Sequence, residues 1–181
     1  PVIRAVVLPS GHVPPNAPGG ARPNDAEIPE NLRPLVQSLP PVAIPTSSPL
    51  QAIRIEIPRL AALRQGAPVV QGDGWEQLKK GVAQHIGTAD PGQRGNMVFS
   101  AHNDIFGELF RELDLLQPGD EIHVYTQTEQ FIYVVTATKI VPPTEVNVMD
   151  TTASPTVTLI SCYPYLIDTE RIVVFGELKE G

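Results

Sequence analysis

Apolar and polar residues alternate through Ile53, Arg54, Ile55, Glu56 and Ile57, the period-two pattern of a half-buried strand, and Pro58 ends it. Residues 67–71 form a second short apolar stretch, closed by Gly72-Asp73-Gly74. The spacing of Trp75, Leu78 and Val82 predicts a helix over 75–84, with Asp73 or Gly74 at its cap position. Gly81 weakens that helix by about 1 kcal/mol relative to alanine. Residues 85–88 and 96–102 read as strands, separated by the turn signal Asp90-Pro91-Gly92. Leu109, Phe110, Leu113 and Leu116 predict a second short helix over 107–116. After Pro118-Gly119-Asp120, residues 121–126 and 130–141 form a hairpin pattern. A proline-containing loop over 142–155 leads to two last strands, 156–162 and 171–178. Eight short strands and two short helices predict a mainly β fold, a barrel or a sandwich. The regular βαβ alternation of a dinucleotide-binding domain is missing.

Residues 1–50 break this pattern. They hold twelve of the twenty prolines. Proline fixes φ and removes a backbone donor, so a long helix or a central strand is excluded there. This stretch reads as a Pro-rich N-terminal arm or linker before a domain at 51–181. Leu32, Leu35, Val36 and Leu39 leave room for one short helix near 30–39. The arm is either a stalk or a cover packed on the domain.

Charge narrows the partners. The chain of 181 residues carries 13 Lys and Arg against 20 Asp and Glu, a net charge of −7. Lys79-Lys80 is its only adjacent basic pair. Nucleic acid and anionic membrane surfaces are poor partners for such a chain. No run reaches the roughly 20 apolar residues of a membrane-spanning helix. The first residue is Pro1, which is expected of a trimmed or processed product.

The single cysteine, Cys162, excludes an internal disulfide and a multi-cysteine zinc site. A lone cysteine is commonly a small buried hydrophobe. Its setting argues otherwise. The apolar run Thr158-Leu159-Ile160-Ser161 stops at Cys162, and Tyr163-Pro164 breaks the strand after it. Phe99-Ser100-Ala101 likewise ends in His102, and Arg171 begins the run Ile172-Val173-Val174. All three residues stand at strand ends, where a rigid sheet can hold them close. A thiol needs a base to attack an amide, and histidine suits proton exchange near neutral pH. Arginine offers a permanent charge to the oxyanion that follows. No metal or organic cofactor is required. Singly, each has a plain alternative: a core thiol, a satisfied strand-end histidine, or an arginine paired in solvent with Glu170 or Asp168.

The motifs resemble those of the sortase family, the cell-surface transpeptidases of bacteria. Thr158-Leu159-Ile160-Ser161-Cys162 followed by Arg171 matches the family's nucleophile signature, and Ala101-His102 its histidine motif, with Ala where many members have Gly. Three further stretches fit in order: 81–89, 91–96 and 113–120. The resemblance covers about residues 53–178. It implies an eight-stranded β-barrel with Cys162 as nucleophile, His102 as general acid/base and Arg171 as oxyanion partner. Ala101, Asn103, Ser161 and Tyr163 are then expected to line the substrate site. The implied partners are secreted proteins with a Leu-Pro-x-Thr-Gly-like sorting signal, plus an amine from a peptidoglycan cross-bridge or a pilin lysine. The implied place is the outer face of the bacterial membrane, with an anchor outside this chain and a monomeric state. Tyr163-Pro164 is nearer to the housekeeping-like or class D and E pattern than to class B. No acidic cluster predicts a calcium site.

Three rivals share parts of this picture. An inactive barrel could serve as an assembly module, and a hydrolase would use the same three residues with water as acceptor. An L,D-transpeptidase places His and Gly close before its cysteine, where this chain has Leu159-Ile160-Ser161. His85 reads as structural or cleft-lining, and His12 and His123 carry no assigned role. Asn103, Asp104 and Glu108 are candidates to orient His102.

Overall fold

The computed structural model describes residues 46–179. The helix expected near 30–39, and nearly all of the proline-rich arm, lie outside the described residues. Eight strands follow in chain order: β1 (Arg54–Glu56), β2 (Ala67–Gln71), β3 (Val82–Gln84), β4 (Gly95–Ser100), β5 (Glu121–Tyr125), β6 (Gln130–Val141), β7 (Pro155–Tyr163) and β8 (Glu170–Leu178). They close into a barrel in the order β1-β2-β3-β4-β7-β8-β6-β5, with β5 returning to pair with β1. The mainly β expectation holds, and the closed barrel leaves no sheet edge for a stray strand.

Two pairings are parallel, β2 with β3 and β4 with β7; the rest are antiparallel. A parallel pair needs a long crossover. Everything from residue 101 to 154 supplies it between β4 and β7, including the β5–β6 hairpin. The strand carrying the cysteine therefore lies between the strand leading to His102 and the strand that opens with Glu170-Arg171.

Alternation along the strands makes two apolar clusters. Ile55, Met97, Phe99, Leu159, Tyr133 and Val174 face the barrel interior. Val98, Ile160, Cys162 and Val173 face outward from β4, β7 and β8, and Val141 and Val148 pack over them. Val148 belongs to a 3-10 turn, Val146–Met149, inside the long loop before β7. Asn96 pins that loop: its Nδ2 donates to the carbonyls of Val148 (3.3 Å) and Asp150 (3.2 Å), and its Oδ1 accepts from Thr158 Oγ1 (2.8 Å). The loop therefore packs on the outer cluster that includes Cys162, and the buried Asn96 amide is one of its anchors.

The helices are shorter than their periodicity predicts. α1 is a single turn, Trp75–Leu78, and Val82–Gln84 is strand β3 instead of its continuation. The edges of β2 and β4 take up these residues on both sides, and pairing overrides a weak local preference. Residues 85–88 form a turn, not a strand, with Gly87 at φ 81°. Over 107–116 only a 3-10 turn forms, Leu113–Leu115. Phe106, Gly107 and Glu108 all have positive φ, which no α-helix tolerates.

Candidate active site

β4 and β7 run parallel in a constant register, from Gly95 opposite Pro155 to Ser100 opposite Ile160. Carried past the end of β4, the same spacing sets Ala101 beside Ser161 and His102 beside Cys162. Two hydrogen bonds hold the chains together there. Ser161 Oγ donates to the Ala101 carbonyl (2.8 Å), and Asn103 Nδ2 donates to the Cys162 carbonyl (2.9 Å). On its other side Cys162 is the direct cross-strand partner of Arg171 in the antiparallel β7/β8 ladder. Directly opposed residues share a face, with Cβ atoms roughly 4.5–5.5 Å apart. Cys162 and Arg171 are thus cross-strand partners, and His102, two residues past β4, falls level with them in one transverse row when the β4/β7 register is continued.

All three are buried, Arg171 completely. Burying an unpaired charge is costly, so its partners matter. Arg171 Nη1 donates to the carbonyls of Glu170 (2.8 Å) and Asp168 (3.1 Å). The two residues that the sequence offers as solvent partners, Glu170 and Asp168, thus meet the guanidinium through their backbone carbonyls. Asp168 reaches in two directions, because its Oδ1 also accepts from Asn103 Nδ2 (3.2 Å). Asn103 and Asp168 thus tie the His102 segment, the Cys162 strand and the Arg171 strand into one unit.

His102 lies among rings. Trp75 and Phe106 each meet it edge-on, at 5.6 Å between centroids. Its Nε2 is buried with no hydrogen bond among the described residues. Burial disfavours the imidazolium and pushes the His102 pKa from 6.5 down to about 4. The ring is therefore neutral at physiological pH, able to accept a proton.

Two loops flank the row. Among the described residues, the non-glycine residues with positive φ are Phe106 and Glu108 in the β4–β5 loop and Leu166 and Asp168 in the β7–β8 loop. Such backbone strain gathers where function over-determines the structure. The loops are joined: Tyr165 Oη donates to Glu108 Oε1 (2.9 Å), Arg111 Nη1 pairs with Glu108 Oε2 (2.7 Å), and the Arg111 guanidinium stacks over Tyr165 at 4.2 Å.

The residues expected at the substrate site divide. Ala101, Asn103 and Ser161 are buried, while Tyr163 is half-buried at the end of β7. Trp75, Phe106 and Asp168 escaped the sequence reading of the site. Trp75 stands far away in the chain, and Asp168 acts through a non-local bond; its place just before Arg171 was the only hint. His85 Nε2 shares a 2.6 Å hydrogen bond with Ser100 Oγ, and its Nδ1 lies 3.2 Å from Asp73 Oδ2. It braces β4 apart from the row. His123 bonds Glu121 at 2.9 Å on β5. No group of three or more potential metal ligands occurs among the described residues.

A family model described as the sortase domain matches residues 55–179. Sortase SrtE1 of Streptomyces coelicolor is 28% identical over 142 residues, covering 70% of this chain and 40% of that protein. Sortase D of Bacillus subtilis is 27% identical over 127 residues, covering 68% of this chain and 61% of that one. The chain thus spans less than two thirds of the length of these relatives. Among solved structures, a sortase E mutant from Streptomyces avermitilis superposes with a TM-score of 0.65 at 29% identity, covering 75% of this chain and 91% of the other. A sortase D5 transpeptidase of Clostridium perfringens gives 0.64 at 27% identity, covering 70% and 78%.

Proposed function

The chain belongs to the sortase family, and from that membership we propose that it is a cysteine transpeptidase whose reacting groups are His102, Cys162 and Arg171. The observation that supports this reading is the strand register, which pairs Cys162 with Arg171 and, continued past β4, brings His102 level with them. Cys162 sulfur attacks the carbonyl carbon of Thr in a Leu-Pro-x-Thr-Gly-like motif. A C–S bond forms and the carbonyl π pair moves to oxygen. Arg171, with its fixed planar charge, stabilises that oxyanion. His102 takes the thiol proton and delivers it to the leaving glycine nitrogen as the C–N bond breaks. The acyl group rests on Cys162 as a thioester. An acceptor amine then attacks, its proton passes by way of His102 to the departing sulfur, and the thiol is regenerated.

In this reading Asn103, Ser161 and Ala101 hold the row in place, and Tyr163 at the strand end meets the substrate. The substrate is a secreted protein with the sorting motif, and the acceptor is a cell-wall cross-bridge or pilin amine at the bacterial surface. No helix among the described residues is long and apolar enough to cross a membrane. Incubation with sorting-motif peptides, with and without an amine, tests the proposal. The expected products are a Cys162 acyl adduct and an amide ligated to the added amine. An acid product alone, unchanged by amine, would make the protein a hydrolase.

A further inference from the structure

Three aromatic rings meet at the candidate base. Trp75 comes from α1 and Phe106 from the β4–β5 loop, and their centroids are 5.5 Å apart. Each also contacts His102, so every pair in the trio is an edge-on contact. Trp75 is steadied by Lys79, whose Nζ lies 5.6 Å from the indole centroid and pairs with Glu76 at 2.8 Å. Phe106 is different. It is 45% exposed and held at φ 49°, a conformation that bulky residues rarely adopt. An exposed, strained ring beside a buried base calls for an explanation beyond core packing.

Water held near an imidazole needs about two to four polar partners. Ring edges supply none. Among the described residues no protein group bonds His102 Nε2, so the rings leave that nitrogen without a polar neighbour that could also hold a water. A primary amine on an alkyl stem fits such walls better. Its stem buries apolar surface, and the ring faces attract an ammonium, as Trp75 already does with Lys79. Loss of hydration then favours the neutral, nucleophilic amine.

Resting on the transpeptidase reading above, we propose that Trp75 and Phe106 are specificity-determining residues that direct the Cys162 thioester to an amine rather than to water. In the favoured step the amine nitrogen bonds to the thioester carbonyl carbon and the C–S bond breaks. The amine proton moves by way of His102 to the Cys162 sulfur. In the suppressed step water oxygen bonds to the same carbon, the C–S bond breaks, a water proton moves to the Cys162 sulfur, and a carboxylic acid leaves.

The test follows a sorting-motif peptide on the full chain, with blocked lysine amide as acceptor. Thioester formation is read by mass spectrometry of the protein, and the amide-to-acid product ratio by chromatography. Phe106→Ala and Trp75→Ala are expected to lower that ratio by about tenfold, a 1.4 kcal/mol change in relative barriers. Thioester formation is followed in the same samples, so that the first step and the choice of acceptor are read separately. Phe106→Leu and Trp75→Phe, which keep apolar bulk, restore most of the ratio and show that the fold survives change at each site. An unchanged ratio in both alanine variants overturns the inference alone. So does loss of thioester formation in both, because the rings would then serve the first step. A wild-type protein that forms no Cys162 adduct overturns the transpeptidase reading, and the inference falls with it.

Discussion

Cys162 and Arg171 face each other directly across the β7/β8 ladder, and Arg171 is fully buried there. The guanidinium is held by two backbone carbonyls, Asp168 and Glu170. Arg171→Ala removes the charge and strands both acceptors. Turnover is expected to fall by about 10²–10³, the usual cost of one oxyanion donor. Stability falls too, by about 1–3 kcal/mol for an unsatisfied buried group. Arg171→Lys keeps the charge but not the planar fork, so it recovers stability better than kcat. Urea unfolding beside steady-state kinetics separates the two effects.

His102 links activity and stability to pH. Burial lowers its folded pKa from 6.5 to about 4, so between those values the unfolded chain binds the proton and the native protein does not. Stability from this group is complete above pH 6.5 and is lost as pH falls toward 4. Between pH 7 and pH 5 the loss amounts to about 2 kcal/mol. His102→Gln removes that slope, and urea midpoints at the two pH values measure it. The acid limb of kcat/KM is expected near 4 in the wild type, moving toward 6.5 in Phe106→Ala as water reaches the ring.

Asp168 joins two of the three reacting positions from a φ of 60°. Its carbonyl accepts from Arg171 and its carboxylate from Asn103. Aspartate and asparagine tolerate this left-handed backbone better than other non-glycine residues. Asp168→Asn keeps both the conformation and an acceptor, so its kcat stays near that of the wild type. Asp168→Ala and Asn103→Ala each release one end of the tie and lower kcat by about tenfold, roughly 1.4 kcal/mol. KM is expected to change little, because the tie positions groups without binding substrate.

Gly81 marks where α1 gives way to β3. A Cβ there would overlap the carbonyl oxygen of Pro68. Backbone cannot yield as a flexible side chain does, so Gly81→Ala costs about 1–3 kcal/mol despite alanine's better helix propensity. Thermal unfolding measures the loss.

That glycine shows how far the sequence could be read. As a helix residue Gly81 is merely unfavourable; as the residue just before β3 it is needed for a close approach to Pro68 of β2. Helical spacing of Trp75, Leu78 and Val82 is a local signal, while the pairing that claims residues 82–84 is non-local. The long strands were legible because their alternation is long, as in β6, or their apolar run dense, as in β7. Cys162, His102 and Arg171 stood out as reactive types at strand ends. Their alignment in one row did not, because it depends on a parallel register set across a crossover of more than fifty residues. The aromatic enclosure was hidden for a similar reason: nothing local in the chain signals that Trp75 returns to His102, or that Phe106 takes positive φ.

The central claim is that His102, Cys162 and Arg171 act as one reacting row. Mass spectrometry of the protein after brief exposure to a sorting-motif peptide tests it most directly. An acyl adduct is expected on Cys162 in the wild type, a sharply slowed adduct in Arg171→Ala, and none in Cys162→Ala or His102→Ala, with all four chains folded. An adduct that forms at the wild-type rate without His102 or Arg171, or no adduct on the wild type with any such peptide, would contradict it.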